Sequence, residues 1–149
     1  MTILLVRHAS AGDRSDWEGE DELRPIDAGG RRQAEGLAGS LLEYGVTRVL
    51  SSPAARCIQT VAPLAERLGL PVEERSELAE GSSPDTVGAL VEGSADDTAV
   101  MCTHGDVIQN LIGEEPPKGS TWVLERSDQG LIPRRYFPPT RPLPDARGA

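Results

Sequence analysis

Apolar runs and polar breaks alternate along this chain, and the spacing of the apolar positions switches between two periods. Residues 2–7, Thr-Ile-Leu-Leu-Val-Arg, form a short continuous apolar run that ends in Arg7, which predicts a buried strand. Residues 8–26 are polar, acidic and without periodicity, and read as a long loop. From Asp27 to about Tyr44, Ala34, Leu37, Leu41 and Leu42 share one helical face, with Asp27 placed to cap the start and Gly45 to stop the helix. Residues 46–50 predict a second strand. A helix should follow, with Ser52 as its cap, Pro53 at its first position and Gly69 as terminator. Pro63 lies inside that helix and is expected to kink or divide it. Residues 71–75 predict a third strand, and 83–93 a helix capped by Ser83. Residues 97–105, Asp-Thr-Ala-Val-Met-Cys-Thr-His-Gly, repeat the opening theme of an apolar strand followed by a polar residue and a histidine. Residues 106–113 then predict a short helix with Asp106 as its cap. Residues 120–137 alternate around a Ser-Asp-Gln-Gly turn and predict an antiparallel hairpin at a sheet edge. The Pro-rich tail, residues 139–149, is expected to be disordered. No internal repeat is present.

Alternating strands and helices imply an α/β fold, with a mainly parallel sheet sandwiched by helices. The C-terminal hairpin would add antiparallel strands. The expected organisation is a single domain over residues 1–138. In such sheets, ligands sit beyond the carboxyl ends of the strands. Arg7 and His8 end the first strand, Ser51 and Ser52 the second, and Thr103 and His104 the fourth. Arg56 follows one turn into the helix after Ser52. One site at one rim of the sheet would gather them.

Composition narrows what that site can serve. The 149 residues suit one hydrophobic core, and scarce aromatics (3%) leave its filling to aliphatic side chains. No segment approaches the ~20 apolar residues of a membrane span, and the first residues read as a strand rather than a signal peptide. Cys57 and Cys102 are too few for a disulfide framework, so both read as small buried hydrophobes in a reducing cytoplasm. The formal net charge of -9 argues against general nucleic-acid binding. An anionic ligand must therefore be captured by a local cationic cluster.

Both histidines of the chain fall at strand ends, accompanied by Arg7 and Arg56. A guanidinium presents a planar fork of donors suited to phosphate oxygens, and an imidazole can act as a covalent nucleophile. Together they describe phosphoryl transfer through a phosphohistidine. Competing phosphate chemistries do not fit. A Cys-x5-Arg loop is absent, since positions 63 and 108 are Pro and Ile. A Walker P-loop order is absent as well. No apolar strand ends in Asp-x-Asp, and no carboxylate cluster suggests a metallophosphatase.

Four stretches in register, "LLVRHA" (4–9), "LRPIDAGGRRQA" (23–34), "VLSSPAARCIQT" (49–60) and "CTHGD" (102–106), resemble the histidine phosphatase, or phosphoglycerate mutase-like, superfamily. The resemblance spans roughly residues 1–113. It implies His8 as the phosphorylated nucleophile, a phosphate pocket completed by Arg7, Arg56 and His104, and no metal or other cofactor. Within the superfamily the chain is most similar to the small SixA-type phosphohistidine phosphatases. The "KGSTWVL" segment (118–124) also resembles the phosphatase half of actinobacterial Nudix–phosphatase fusions, which points to nucleotide phosphates. The usual Arg-His-Gly reads Arg7-His8-Ala9 here. For the general acid, "ELAEG" offers Glu80 or Glu77, and nothing in the string selects between them. The long insertions that form lids in the mutases are missing.

Ser10 is a candidate donor to phosphate, with a loop-solvating role as its alternative. Arg14, Arg24, Arg31 and Arg32 are expected to face solvent, with Arg14 or Arg24 able to meet an anionic substrate. Trp17 reads as a partly buried loop anchor. The expected function is a metal-independent phosphohistidine phosphatase. A phosphatase of small esters or nucleotides is the first alternative, and a non-catalytic phosphate-binding module the second. Expected partners are a phosphorylated protein or small phosphorylated metabolite, with no nucleic acid and no membrane, and the protein itself is expected to be a cytoplasmic monomer.

Overall fold

The computed structural model describes residues 2–94 and 96–140. Six strands form one sheet: β1 (Thr2–Arg7), β2 (Arg48–Ser51), β3 (Val72–Glu74), β4 (Thr98–Thr103), β5 (Thr121–Ser127) and β6 (Gly130–Phe137). Their order is β3-β2-β4-β1-β5-β6. β1 and β4, β2 and β4, and β2 and β3 pair in parallel, while β5 runs antiparallel to β1 and β6 antiparallel to β5. The predicted α/β architecture with its edge hairpin is what forms.

Side chains alternate across a strand, so a central strand in a covered sheet must be apolar on both faces. β1 shows this directly. Leu4 and Val6 join Val49, Val100 and Cys102 in one core, covered by α1 (Ala28–Leu41) and α2 (Ala55–Leu68) through Leu37, Leu41, Cys57, Val61 and Leu64. Ile3 and Leu5 join Leu50, Ala99 and Met101 in the other. That core is covered by α3 (Pro84–Glu92) and α4 (Gly105–Ile112) through Val87, Leu90, Val107 and Ile108. Each fully buried aliphatic side chain contributes about 1.5–3 kcal/mol, so the two layers fix β1 and β4 in the middle of the sheet.

Helix starts follow the expected chemistry in two cases. Asp27 accepts from the Gly30 amide at 2.8 Å, and Ser83 accepts from the Thr86 amide at 3.2 Å. Gly69 ends α2 at φ +68°, a left-handed cap that favours glycine. Other details differ. α1 ends at Leu41, short of Tyr44, and β2 lies two residues downstream of its predicted start. α2 begins at Ala55 with Ala54 as its N-cap, so neither Ser52 nor Pro53 holds its predicted place. Pro63 does not divide α2. The carbonyl it leaves without a donor belongs to Gln59, an exposed residue, where water can satisfy it. The acidic segment 8–26 is a loop with two short 3-10 turns, Arg14–Asp16 and Asp21–Leu23. From residue 141 onward the predicted tail lies outside the described residues.

Candidate active site

The parallel strands point their carboxyl ends at one rim, and the ladder continues past them. His8 N–H donates to the Thr103 carbonyl at 3.1 Å, and Ser52 N–H to the Cys102 carbonyl at 2.9 Å. These bonds fix the backbone where β1, β2 and β4 release their polar residues. Arg7, His8, Arg56 and His104 line one cavity of about 570 Å³. The two imidazoles meet edge-on, with ring centroids 5.5 Å apart and an interplanar angle of 64°.

His8 is almost fully buried. Its Nδ1 lies 2.8 Å from the Ala9 carbonyl. A carbonyl only accepts, so Nδ1 carries the proton and Nε2 keeps its lone pair. Burial lowers the His8 pKa to about 3, helped by the charges of His104, Arg56 and Arg7 and opposed by the hydrogen bond to Ala9. His104 places Nε2 2.9 Å from Ser52 Oγ and 3.6 Å from Cys57 Sγ, and Arg56 Nη2 approaches its Nδ1 at 3.5 Å. Ser52, read from sequence as a helix cap, contacts this ring while its Oγ still accepts from the Ala54 amide at 3.2 Å, just ahead of α2.

Arg56 is only 2% exposed, a large cation deep in the rim. Its Nη1 donates to the Asp21 carbonyl at 2.8 Å, and its Nη2 lies 3.0 Å from Asp21 Oδ2 and 3.3 Å from Glu80 Oε2. Arg7 donates from Nη1 to the Pro116 carbonyl at 2.7 Å and pairs through Nη2 with Glu115 at 3.0 Å. The Nε atoms of both arginines are buried without a partner. A buried N–H left unpaired costs about 1–3 kcal/mol. Thr60 ties these parts together. Its hydroxyl donates to the Arg56 carbonyl at 2.6 Å and accepts from the Ala9 amide at 2.8 Å.

Of the two carboxylates considered for an acid, Glu80 lines the cavity. Glu77 pairs with Arg75 at 2.7 Å and lies outside its lining. Both oxygens of Glu80 are engaged, Oε2 by Arg56 and Oε1 by Arg14 at 2.9 Å. Ser10 is not part of the cavity lining, because its hydroxyl donates to Asp27 Oδ2 at 2.8 Å. Asp106 does not cap α4, whose N-cap is His104. Its Oδ2 accepts from the Gly81 amide at 2.9 Å and so braces the segment that carries Glu80.

Arg31 and Arg32 face solvent as expected. Arg24 does not: it is 6% exposed, donating to the Ala11 carbonyl at 2.7 Å and pairing with Asp21 at 2.9 Å. Arg14 is exposed and reaches across the mouth to Asp21 and Glu80. Trp17 donates from its indole N–H to the Glu20 carbonyl, anchoring the acidic loop. Asp21, Thr60, Glu115 and Lys118 belong to or brace the site and had no distinctive signal in the string. Three sit in aperiodic loops, and Thr60 is one polar position on an amphipathic helix. Both cysteines are buried. Among the described residues no group of three or more His, Cys, Asp or Glu side chains is arranged to hold a metal, and no helix is long and apolar enough to cross a membrane.

An unprotonated imidazole nitrogen beside two guanidiniums is equipped to attack phosphorus while the cations hold its oxygens. Comparisons with known proteins agree with that reading of the fold. The model of the Histidine phosphatase superfamily (branch 1) matches residues 3–92. An 8-oxo-(d)GTP phosphatase of Mycolicibacterium smegmatis is 37% identical over 155 aligned positions, covering 93% of this chain and 48% of that protein. The chain thus spans about half the length of this relative. The protein histidine phosphatase SixA complexed with tungstate matches at a TM-score of 0.76 and 22% identity, over 93% of this chain and 97% of that one. A protein provisionally named phosphohistidine phosphatase SixA, from Nakamurella multipartitia, matches at 0.74 and 25%, over 93% and 95%.

Proposed function

Because this chain belongs to the histidine phosphatase superfamily (branch 1), we propose that it hydrolyses phosphorylated substrates in two steps through a phosphohistidine on His8. The observation that carries this reading is the Nδ1 contact to the Ala9 carbonyl, which leaves Nε2 as the free nucleophile in a cationic cavity. In the first step Nε2 attacks phosphorus in line, an N–P bond forms, and the bond to the leaving group breaks. Arg7 and Arg56 bind the equatorial oxygens, and His104, edge-on to His8 and held by Ser52 and Arg56, completes the pocket. In the second step water attacks the phosphohistidine, releasing inorganic phosphate and a proton and restoring the imidazole. The SixA structure that binds tungstate, a tetrahedral oxyanion shaped like phosphate, supports an anion site of this kind.

Glu80 would protonate a leaving group where one is needed, which requires one of its two arginine contacts to open. Substrates whose leaving group departs with little help fit best. Phosphohistidine on a protein is one such substrate, and it suits a rim over which no long lid folds among the described residues. A nucleotide phosphate is the second reading, favoured by the 37% identical 8-oxo-(d)GTP phosphatase.

The test is turnover of 4-nitrophenyl phosphate in the presence of EDTA, by wild type and His8→Ala. Wild type should release phosphate and form an acid-labile, alkali-stable phosphoenzyme, while His8→Ala should do neither. Retained turnover in His8→Ala, or a label that survives acid, overturns the assignment.

A further inference from the structure

Five cations line the cavity beside the carboxylates of Asp13, Glu80, Asp106 and Glu115, and all but one of the five are paired with a carboxylate. Arg7, Arg14, Arg24 and Arg56 each have a carboxylate oxygen within 4 Å, at Glu115, Asp21 or Glu80. Lys118 lines the same cavity and has none among the described residues. It is also the only lysine in the chain, beside fourteen arginines. Asp13 and Asp27 lie within reach of its field. Each is nevertheless engaged locally, Asp13 by Ser15 and Asp27 by Ser10, Gly12 and Gly30.

The backbone under Lys118 is held with unusual firmness for a surface loop. The Gly119 N–H donates to both the Arg7 and His8 carbonyls, at 3.1 and 3.0 Å. Gly119 does so at φ +85°, in the left-handed region, and a Cβ there would come within 3.0 Å of Gln33. Gln33 in turn donates from Nε2 to the Lys118 carbonyl at 3.4 Å and accepts the Ser10 amide at 2.8 Å. Ser120 closes the turn through the Pro117 carbonyl. The loop is therefore registered against the backbone of His8 itself, while Lys118 stays exposed and, among the described residues, without a carboxylate at ion-pair distance.

We propose that Lys118 determines specificity by receiving a second phosphoryl group, adjacent to the one transferred to His8. The substrate class this selects is a phosphoanhydride such as a nucleoside diphosphate. The inference rests on the phosphohistidine reading above and deepens it toward its nucleotide branch. Attack by His8 Nε2 on the terminal phosphorus forms the N–P bond and breaks the bridging P–O bond, so the nucleoside monophosphate leaves as an anion. Water then hydrolyses the phosphohistidine to inorganic phosphate and a proton. A monophosphate leaving group needs little protonation, in keeping with Glu80 held between two arginines. Lys118 neutralises the charge that gathers on it.

The experiment compares kcat/KM for GDP and GMP, which differ by one phosphoryl group, in wild type, Lys118→Ala and Lys118→Arg, with 4-nitrophenyl phosphate as the check on phosphatase activity. Wild type should favour GDP over GMP at least tenfold. Lys118→Ala should reduce that ratio about tenfold, mainly through KM, and Lys118→Arg should keep it within threefold. An unchanged ratio in Lys118→Ala overturns the proposal. So does a wild type that turns over 4-nitrophenyl phosphate without preferring GDP, or one that acts only on a phosphohistidine protein. Failure to hydrolyse any of these substrates, with no phosphoenzyme, overturns the underlying phosphatase reading as well.

Discussion

Removing His8 from water does more to lower its pKa than any single neighbouring charge, and only the hydrogen bond to Ala9 works the other way. The sign of the stability effect follows. With a folded pKa of about 3 against an ordinary 6.5, the unfolded chain takes up a proton that the folded one refuses between those values. The stabilisation from keeping His8 neutral is complete above pH 6.5 and is lost as pH falls toward 3, by up to about 1.4 kcal/mol per pH unit. In His8→Asn, whose amide can still donate to Ala9, that slope should vanish. Urea midpoints of the two proteins measured from pH 7.5 to 4 check it: wild type should lose ground relative to the variant below pH 6.5, and parallel curves would refute the buried-neutral assignment. His8, Arg7, Arg56 and His104 were legible in the string because strand ends and helix starts recur at readable positions. Asp21 and Glu115 were not, because a partner supplied by an aperiodic loop is chosen by three-dimensional proximity alone. Arg24 was misread for the same reason: its burial depends on how the loop folds over Ala11 and Asp21.

Element boundaries were legible where a local hydrogen bond sets them, as at Asp27 and Ser83, and illegible where a long-range contact shares the capping group. Ser52 still accepts from the Ala54 amide, but β4 brings His104 to the same hydroxyl and α2 begins two residues later, with Ala54 as its N-cap. α4 shows the same dependence at its first residue. A Cβ on Gly105 would lie 2.8 Å from Arg7 Cζ and would also press on Glu115 Oε1, so the helix start must be bare for Arg7 to cross it. Both obstacles are ends of flexible side chains, and alanine favours helix over glycine by up to about 1 kcal/mol. Gly105→Ala should therefore fold with an unchanged or slightly raised Tm, yet lower kcat/KM for 4-nitrophenyl phosphate about tenfold through a displaced Arg7. Thermal unfolding measured beside steady-state kinetics separates the two. An unaltered kcat/KM would show that Arg7 tolerates displacement, and a Tm drop of several degrees would show that the clash falls on the fold instead.

At the scale of the molecule, the doubly covered sheet was readable because period-two and helical apolar patterns alternate, and both cores use them. The strand order was not: β4 enters between β2 and β1, which no local pattern encodes, and that insertion brings His104 to His8. The resulting cationic rim sits on a chain whose formal net charge is -9. These two fields act over different ranges. In ~10 mM salt the Debye length is about 30 Å, so an approaching phosphate feels the acidic surface as a whole, whereas at ~100 mM it is about 10 Å and only the rim is felt. Cations paired with carboxylates attract weakly from afar, so the far field is repulsive and added salt removes it first. Between 10 and 100 mM sodium chloride, kcat/KM for 4-nitrophenyl phosphate should rise about twofold. Above that range it should fall, as salt anions compete for Arg7 and Arg56. Stopped-flow or steady-state rates in a low-conductivity buffer resolve the maximum. A monotonic decline from the lowest salt would mean that the rim, not the acidic surface, already governs the approach of substrate at long range.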